Sequence, residues 1–167
     1  MQKSKGFTLV ELVIVIVILG ILAVTAAPKF LNLAGDAKKG TLTAVQSSLQ
    51  SANAVIYSKA VLQGKQKDAS ETVNESGDDI AVVYGYVAAT DDAVEAVLDL
   101  DGNFTVAQGV AIGNAPVALA TTDVMIYPAD SDAPTSATTE ATACFLKYTA
   151  AANATSKPTY KLYGNGC

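Results

Sequence analysis

One carboxylate stands where a carboxylate is costly. Glu11 is the lone charge in residues 7–27, which read Phe-Thr-Leu-Val before it and Leu-Val-Ile-Val-Ile-Val-Ile-Leu-Gly-Ile-Leu-Ala-Val-Thr-Ala-Ala after it. A charged side chain within a bilayer span costs on the order of 2.5–3.5 kcal/mol even on lenient insertion scales. Its type and position therefore point to a function with a partner of opposite sign. Cleavage of the peptide bond between Gly6 and Phe7 would create one, a new α-amine at Phe7. That amine would lie one helical turn from Glu11 of its own chain, and in a stack of subunits it would meet the Glu11 of a neighbour. Lys3 and Lys5 precede the bond and hold that end on the cytoplasmic side of a membrane.

The second pair with chemistry is Cys144 and Cys167. In a chain exported beyond the inner membrane the two are expected to form a disulfide, the alternative being two separate thiols. Closing a loop of that length stabilises a fold by roughly 3 kcal/mol. A metal site is not expected, because the chain has 0 His and two cysteines cannot complete a zinc shell. Asp99, Asp101 and Asn103 alternate like the start of a calcium loop. That loop wants Gly at its sixth position and Glu at its twelfth, whereas Gly102 stands fourth and Val110 twelfth. A hairpin or helix-exit turn is the reading there.

No nucleophile has a histidine base and no glycine-rich loop cradles a phosphate, so neither an enzyme nor a cofactor is expected. The 11 basic residues are all lysine and face 16 acids, a net charge of −5. Loss of Lys3 and Lys5 takes it to −7. An acidic, arginine-free surface argues against binding a nucleic-acid backbone.

The elements that must position these residues start with a helix. Residues 7–27 are mostly β-branched, which favours strands. However, a run of roughly 20 is too long for one strand, and a single span satisfies its backbone in a membrane only as a helix. At about 1.5 Å per residue it covers roughly 30 Å, the hydrocarbon thickness of a bilayer. An ordinary secretory signal is the competing reading, with Val24-Thr25-Ala26 as its small-residue cleavage site, but its apolar core would be shorter and would carry no Glu11. Gly20 and Pro28 are the weak points of the helix, and a kink or local loss of helix is expected at Pro28.

Leu42, Val45, Leu49, Ala52 and Ile56 recur at helical spacing, with Gln46, Ser47, Gln50, Asn53 and Lys59 opposite. This second half of the helix is expected to end near Gln63 with Gly64 as cap. Residues 64–79 read as a polar surface connection. Residues 80–87 read as a strand with Gly85 at a bulge. Asp91 and Asp92 are expected to cap a short helix through Leu98. Residues 103–110, 124–127, 144–148 and 159–163 read as further strands, with a loop over 130–142. The class is α+β, one long N-terminal helix against a small antiparallel sheet.

Lys5-Gly6-Phe7-Thr8-Leu9-Val10-Glu11, with the basic leader before it and the apolar run after it, resembles the prepilin signature of type IV pilins. The resemblance implies a pilin fold and a fixed organisation. Residues 1–6 would be a leader, 7–27 a transmembrane and filament-core helix, and 28–63 its amphipathic second half. Residues 64–167 would form a globular head closed by the disulfide loop 144–167. It further implies that a prepilin peptidase cuts after Gly6 and methylates the amine of Phe7, and that Glu11 guides subunits into the filament. The stretch from Gly20 to Pro28 would unwind there.

The implied partners are further copies in a helical filament, the inner-membrane pilus assembly machinery, and host or abiotic surfaces. The subunits would wait in the inner membrane and end in an extracellular pilus. Tyr84-Gly85-Tyr86, Leu98-Asp99-Leu100, Ile126-Tyr127-Pro128 and the stretch 149–155 before the terminal cysteine are similar to the mannose-sensitive haemagglutinin pilin group, with Val87 departing from an expected proline. That likeness implies adhesion, haemagglutination and biofilm formation. One alternative shares the architecture, a pseudopilin of type II secretion, whose major members often bind calcium rather than carry the disulfide. The rival of a different class is a membrane-anchored periplasmic enzyme or binding protein, against which stands the absence of His and of any catalytic cluster.

Overall fold

The computed structural model describes residues 6–75, 77–108, 120, 122–135 and 138–167, and of residues 27–32 the backbone alone. The chain divides into two compact units, residues 1–37 and residues 38–167. One helix, α1 (Leu9–Leu62), begins in the first unit and ends in the second. Its backbone stays helical through Gly20 and Pro28. It stops at Gly64, whose positive φ of 73° lets two backbone N–H groups turn back onto helix carbonyls. Gly64 N–H donates to Val61 O at 3.1 Å and Lys65 N–H to Ala60 O at 2.8 Å, the Schellman pattern that glycine makes available.

The second unit adds two antiparallel sheets and one short helix. The first sheet orders β1 (Glu71–Glu75), β2 (Asp78–Val83) and β3 (Tyr86–Val87). Helix α2 (Asp91–Val97) follows. The second sheet is a meander of β4 (Phe104–Gln108), β5 (Asp123–Pro128), β6 (Phe145–Thr149) and β7 (Thr159–Tyr163).

Four expectations are corrected. The polar connection 64–79 contains β1, paired in register with β2 from Glu71↔Val82 to Glu75↔Asp78. Only Val73 of that strand is buried, so it shows no alternation to read. Residues 80–87 are two strands and not one. Tyr84 and Gly85 have φ of 51° and 82° and close a two-residue hairpin between Val83 and Tyr86, the backbone that matches strand twist. Any side chain at Gly85 would press on Gln66 Cα at 3.0 Å and on the Tyr57 ring at 3.1 Å. Helix α2 is capped by Thr90, whose hydroxyl accepts from Ala93 N–H at 3.3 Å. Asp91 and Asp92 sit in its first turn, where they complement the helix dipole.

The fourth correction concerns the buried face of α1. Leu42, Val45, Leu49, Asn53, Ile56 and Ala60 are buried while Ala52 is half-exposed. Helical spacing carries the stripe through Asn53, a residue that a hydrophobic pattern skips. The apolar members join Val73, Ile80, Val82, Val87, Val94, Val124, Ile126, Leu146 and Tyr148 in one core. Strand β5 is buried along its whole length. Val124 and Ile126 enter that core, while Met125 and Tyr127 enter a second cluster with Ala143, Phe145 and Tyr163.

Candidate functional site

Gly6 and Phe7 lie outside the helix and are exposed, Phe7 by 91%. The bond between them is therefore in exposed backbone before the helix. Thr8 is the cap. Its hydroxyl accepts from Glu11 N–H at 3.3 Å, its carbonyl accepts from Leu12 N–H at 3.2 Å, and the Glu11 side chain returns to it. Glu11 Oε2 accepts from Thr8 N–H at 2.8 Å and from Thr8 Oγ1 at 2.7 Å. This is a capping box, in which a Thr and the Glu three residues later satisfy each other's backbone donors. The spacing Thr8-Leu9-Val10-Glu11 carries that signal in the sequence.

From Leu9 to Ala26 the helix has a mean hydropathy of 3.0 and none of it is buried. The other polar side chain there, Thr25, donates its hydroxyl to Leu22 O at 2.9 Å and so finds its partner within the helix. Exposure of Val13, Ile14, Val15, Ile16, Val17, Ile18 and Leu19 ranges from 43% to 57%. An uncovered apolar surface of this extent marks contact with a membrane or another protein. Thus Gly6, Phe7 and Glu11 come together at one helix end, whereas Gly20 and Pro28 lie in its interior.

In the second unit Cys144 and Cys167 are joined in a disulfide with a Cα–Cα distance of 4.8 Å. The terminal turn is also tied by Gly166 N–H, which donates to Ala143 O at 2.9 Å. Gly166 packs so closely on Thr142 and Ala143 that no Cβ fits. Asp99, Asp101 and Asn103 form a turn before β4, with φ of 47° at Asp101 and Asn103 N–H on Leu100 O at 2.9 Å.

Two polar clusters escaped the sequence reading. Asp123, 2% exposed, accepts from Thr149 Oγ1 at 2.6 Å and from Ala120 N–H at 2.8 Å, and pairs with Lys147 Nζ at 2.8 Å. Burial pushes its carboxyl up. Hydrogen bonds from Lys147, Thr149 and the Ala120 amide outweigh burial and hold it below the ordinary aspartate value. Asn53 is the second. Its Oδ1 accepts from Val87 N–H at 2.8 Å, and its Nδ2 donates to Tyr160 Oη at 2.8 Å and Tyr148 Oη at 3.3 Å. Tyr148 Oη donates in turn to Val87 O at 2.6 Å. Burial pushes the Tyr160 hydroxyl up to about 12, so this network stays uncharged at ordinary pH.

Residues 1–27 match the prokaryotic N-terminal methylation motif family. Part of the chain is similar to known proteins. It is 45% identical over 64 residues to the type IV narrow pilus major component PilA5 of Thermus thermophilus, covering 38% of this chain and 52% of that protein. It is 35% identical over 80 residues to a fimbrial protein of Pseudomonas aeruginosa, covering 48% of this chain and 49% of that protein. The chain thus matches about half the length of these relatives. No solved structure matches. Residues 1–27 thus carry a prokaryotic N-terminal methylation motif, and part of the chain is similar to a pilus component and to a fimbrial protein.

Proposed function

We propose that the chain is the major structural subunit of a type IV pilus, made as an inner-membrane precursor and assembled into an extracellular filament. The observation that carries the reading is the methylation motif over residues 1–27, which contains an 18-residue apolar helix segment, Leu9–Ala26, left uncovered among the described residues. A bilayer covers such a surface before assembly, and the helices of other copies cover it afterwards. In this reading a prepilin peptidase cuts between Gly6 and Phe7 and methylates the Phe7 amine. Glu11 is the assembly charge, Gly20 to Pro28 is the stretch that unwinds in the filament, and the inner-membrane machinery extracts the subunit. The subunit is structural and has no catalytic residue. The likeness of its head to the mannose-sensitive haemagglutinin pilin group supports attachment to cells and surfaces, with haemagglutination and biofilm formation as the outcome.

The test joins processing to assembly. Mature protein from wild-type cells is expected to begin at methylated Phe7 by mass spectrometry, and sheared surface filaments to consist of this chain by electron microscopy. Gly6→Val is expected to accumulate full-length protein in the membrane and to make no filament. A mature N-terminus near Ala27 would instead identify a secretory signal, and filaments that never leave the periplasm would identify a pseudopilin.

A further inference from the structure

We infer that Thr8 is a positioning residue for Glu11: it engages one carboxylate oxygen within the unassembled subunit and presents the other, Oε1, to the amine of a neighbouring copy. The inference rests on the reading of the chain as a filament subunit. Both donors from Thr8, the N–H at 2.8 Å and the hydroxyl at 2.7 Å, converge on Oε2. The same hydroxyl accepts from Glu11 N–H at 3.3 Å, so it is fixed between the side chain and the backbone it serves.

Two consequences follow for a carboxylate at the end of an apolar helix. It keeps hydrogen-bond donors where the membrane supplies no water, which offsets the burial of its charge. Its flexible side chain is also already ordered when a second subunit arrives, and an ordered group binds without the entropy loss of being fixed at that moment. The backbone amide of residue 8 survives any substitution except proline. The hydroxyl is the group that mutation removes.

Two measurements on the full chain decide it. In processed protein held in detergent micelles, the Thr8 amide is expected to exchange with solvent at least tenfold more slowly than in Glu11→Ala. Equal rates would overturn the internal bond. In cells, Thr8→Val is expected to leave the cleaved membrane pool within twofold of wild type while sheared-filament yield falls at least fivefold. Thr8→Ser, which keeps the hydroxyl, is expected to restore yield to within twofold. Normal yield from Thr8→Val, or no rescue by Thr8→Ser, would overturn the positioning role. Wild-type cells without filaments would instead sink the subunit reading, and the exchange measurement separates that case because it needs no filament.

Discussion

At Asp123 two opposing effects meet on one residue, and the winner sets a pH dependence. Burial in β5 favours the neutral acid, yet donors from Lys147, Thr149 and Ala120 N–H hold the carboxyl below its ordinary value. The folded state therefore favours the ionised form more than the unfolded chain does. The stability this contributes is fully present above the ordinary aspartate value, about 3.9, and is lost as pH falls through the lower folded value. Asp123→Asn is expected to lower the stability of the second unit by about 2–4 kcal/mol at pH 7, since it removes the charge opposite the largely buried Lys147. The gap to wild type should narrow below about pH 4, where the wild-type carboxyl also begins to lose its charge. Thermal unfolding of both proteins in detergent at pH 7 and pH 3 measures it, and a gap of constant size would show that shape rather than charge holds the cluster. Nothing in the sequence marked this residue. A single Asp before Val-Met-Ile-Tyr reads as a strand flank, and its side-chain partners Lys147 and Thr149 lie on a strand more than 20 residues away.

Among the elements, those with long or dense patterns were legible and those shaped by pairing were not. Helix α1 and its Gly64 cap follow from apolar spacing and from glycine's freedom, and β6 and β7 follow from their runs of apolar and aromatic residues. Strand β1 was hidden because Glu-Thr-Val-Asn-Glu carries one apolar residue, and only its neighbour β2 makes it a strand. The hairpin at Tyr84-Gly85 was hidden because tyrosine gives no signal for positive φ. Asn53 was misplaced because its burial depends on two tyrosine hydroxyls and a strand amide far along the chain.

The disulfide was legible from two cysteines and an exported chain. Its role belongs to the β6–β7 pair, whose outer ends it closes from Cys144, just before β6, to Cys167, just after β7. Inside that closure Phe145 stacks on Tyr163 with ring centroids 4.9 Å apart. Cys144→Ser is expected to cost about 2–5 kcal/mol, the usual loss for a small exported domain. Strand β7 should become accessible to protease and the subunit should vanish from filaments. Two alkylatable thiols in native filaments, found by mass spectrometry, would remove the closure from the assembled state.

For the whole molecule the question is what selects one arrangement of subunits. The second unit buries its own core, and the apolar span Leu9–Ala26 is uncovered among the described residues. Apolar helices alone pack in many staggers, because leucine, isoleucine and valine side chains offer similar surfaces along the helix axis. In the proposed filament Glu11 would remove that freedom. A buried carboxylate that meets no cation is costly, and breaking a buried ion pair costs about 3–5 kcal/mol because one charge is left alone. In the proposed filament, only a stagger that brought the Phe7 amine of one copy to the Glu11 of another would avoid that penalty, which would repeat with every subunit. Glu11→Ala is therefore expected to insert and to be cleaved normally, its span being more apolar, while filament extension fails. Glu11→Gln tells charge from hydrogen bonding. It should fail like Glu11→Ala where charge selects the stagger, and should assemble near wild type where a hydrogen bond is enough. The measurement is the sheared-filament yield of each variant beside its pool of cleaved membrane protein. Normal piliation by Glu11→Ala would show that apolar packing alone sets the stagger, and the ion pair would lose its part in assembly.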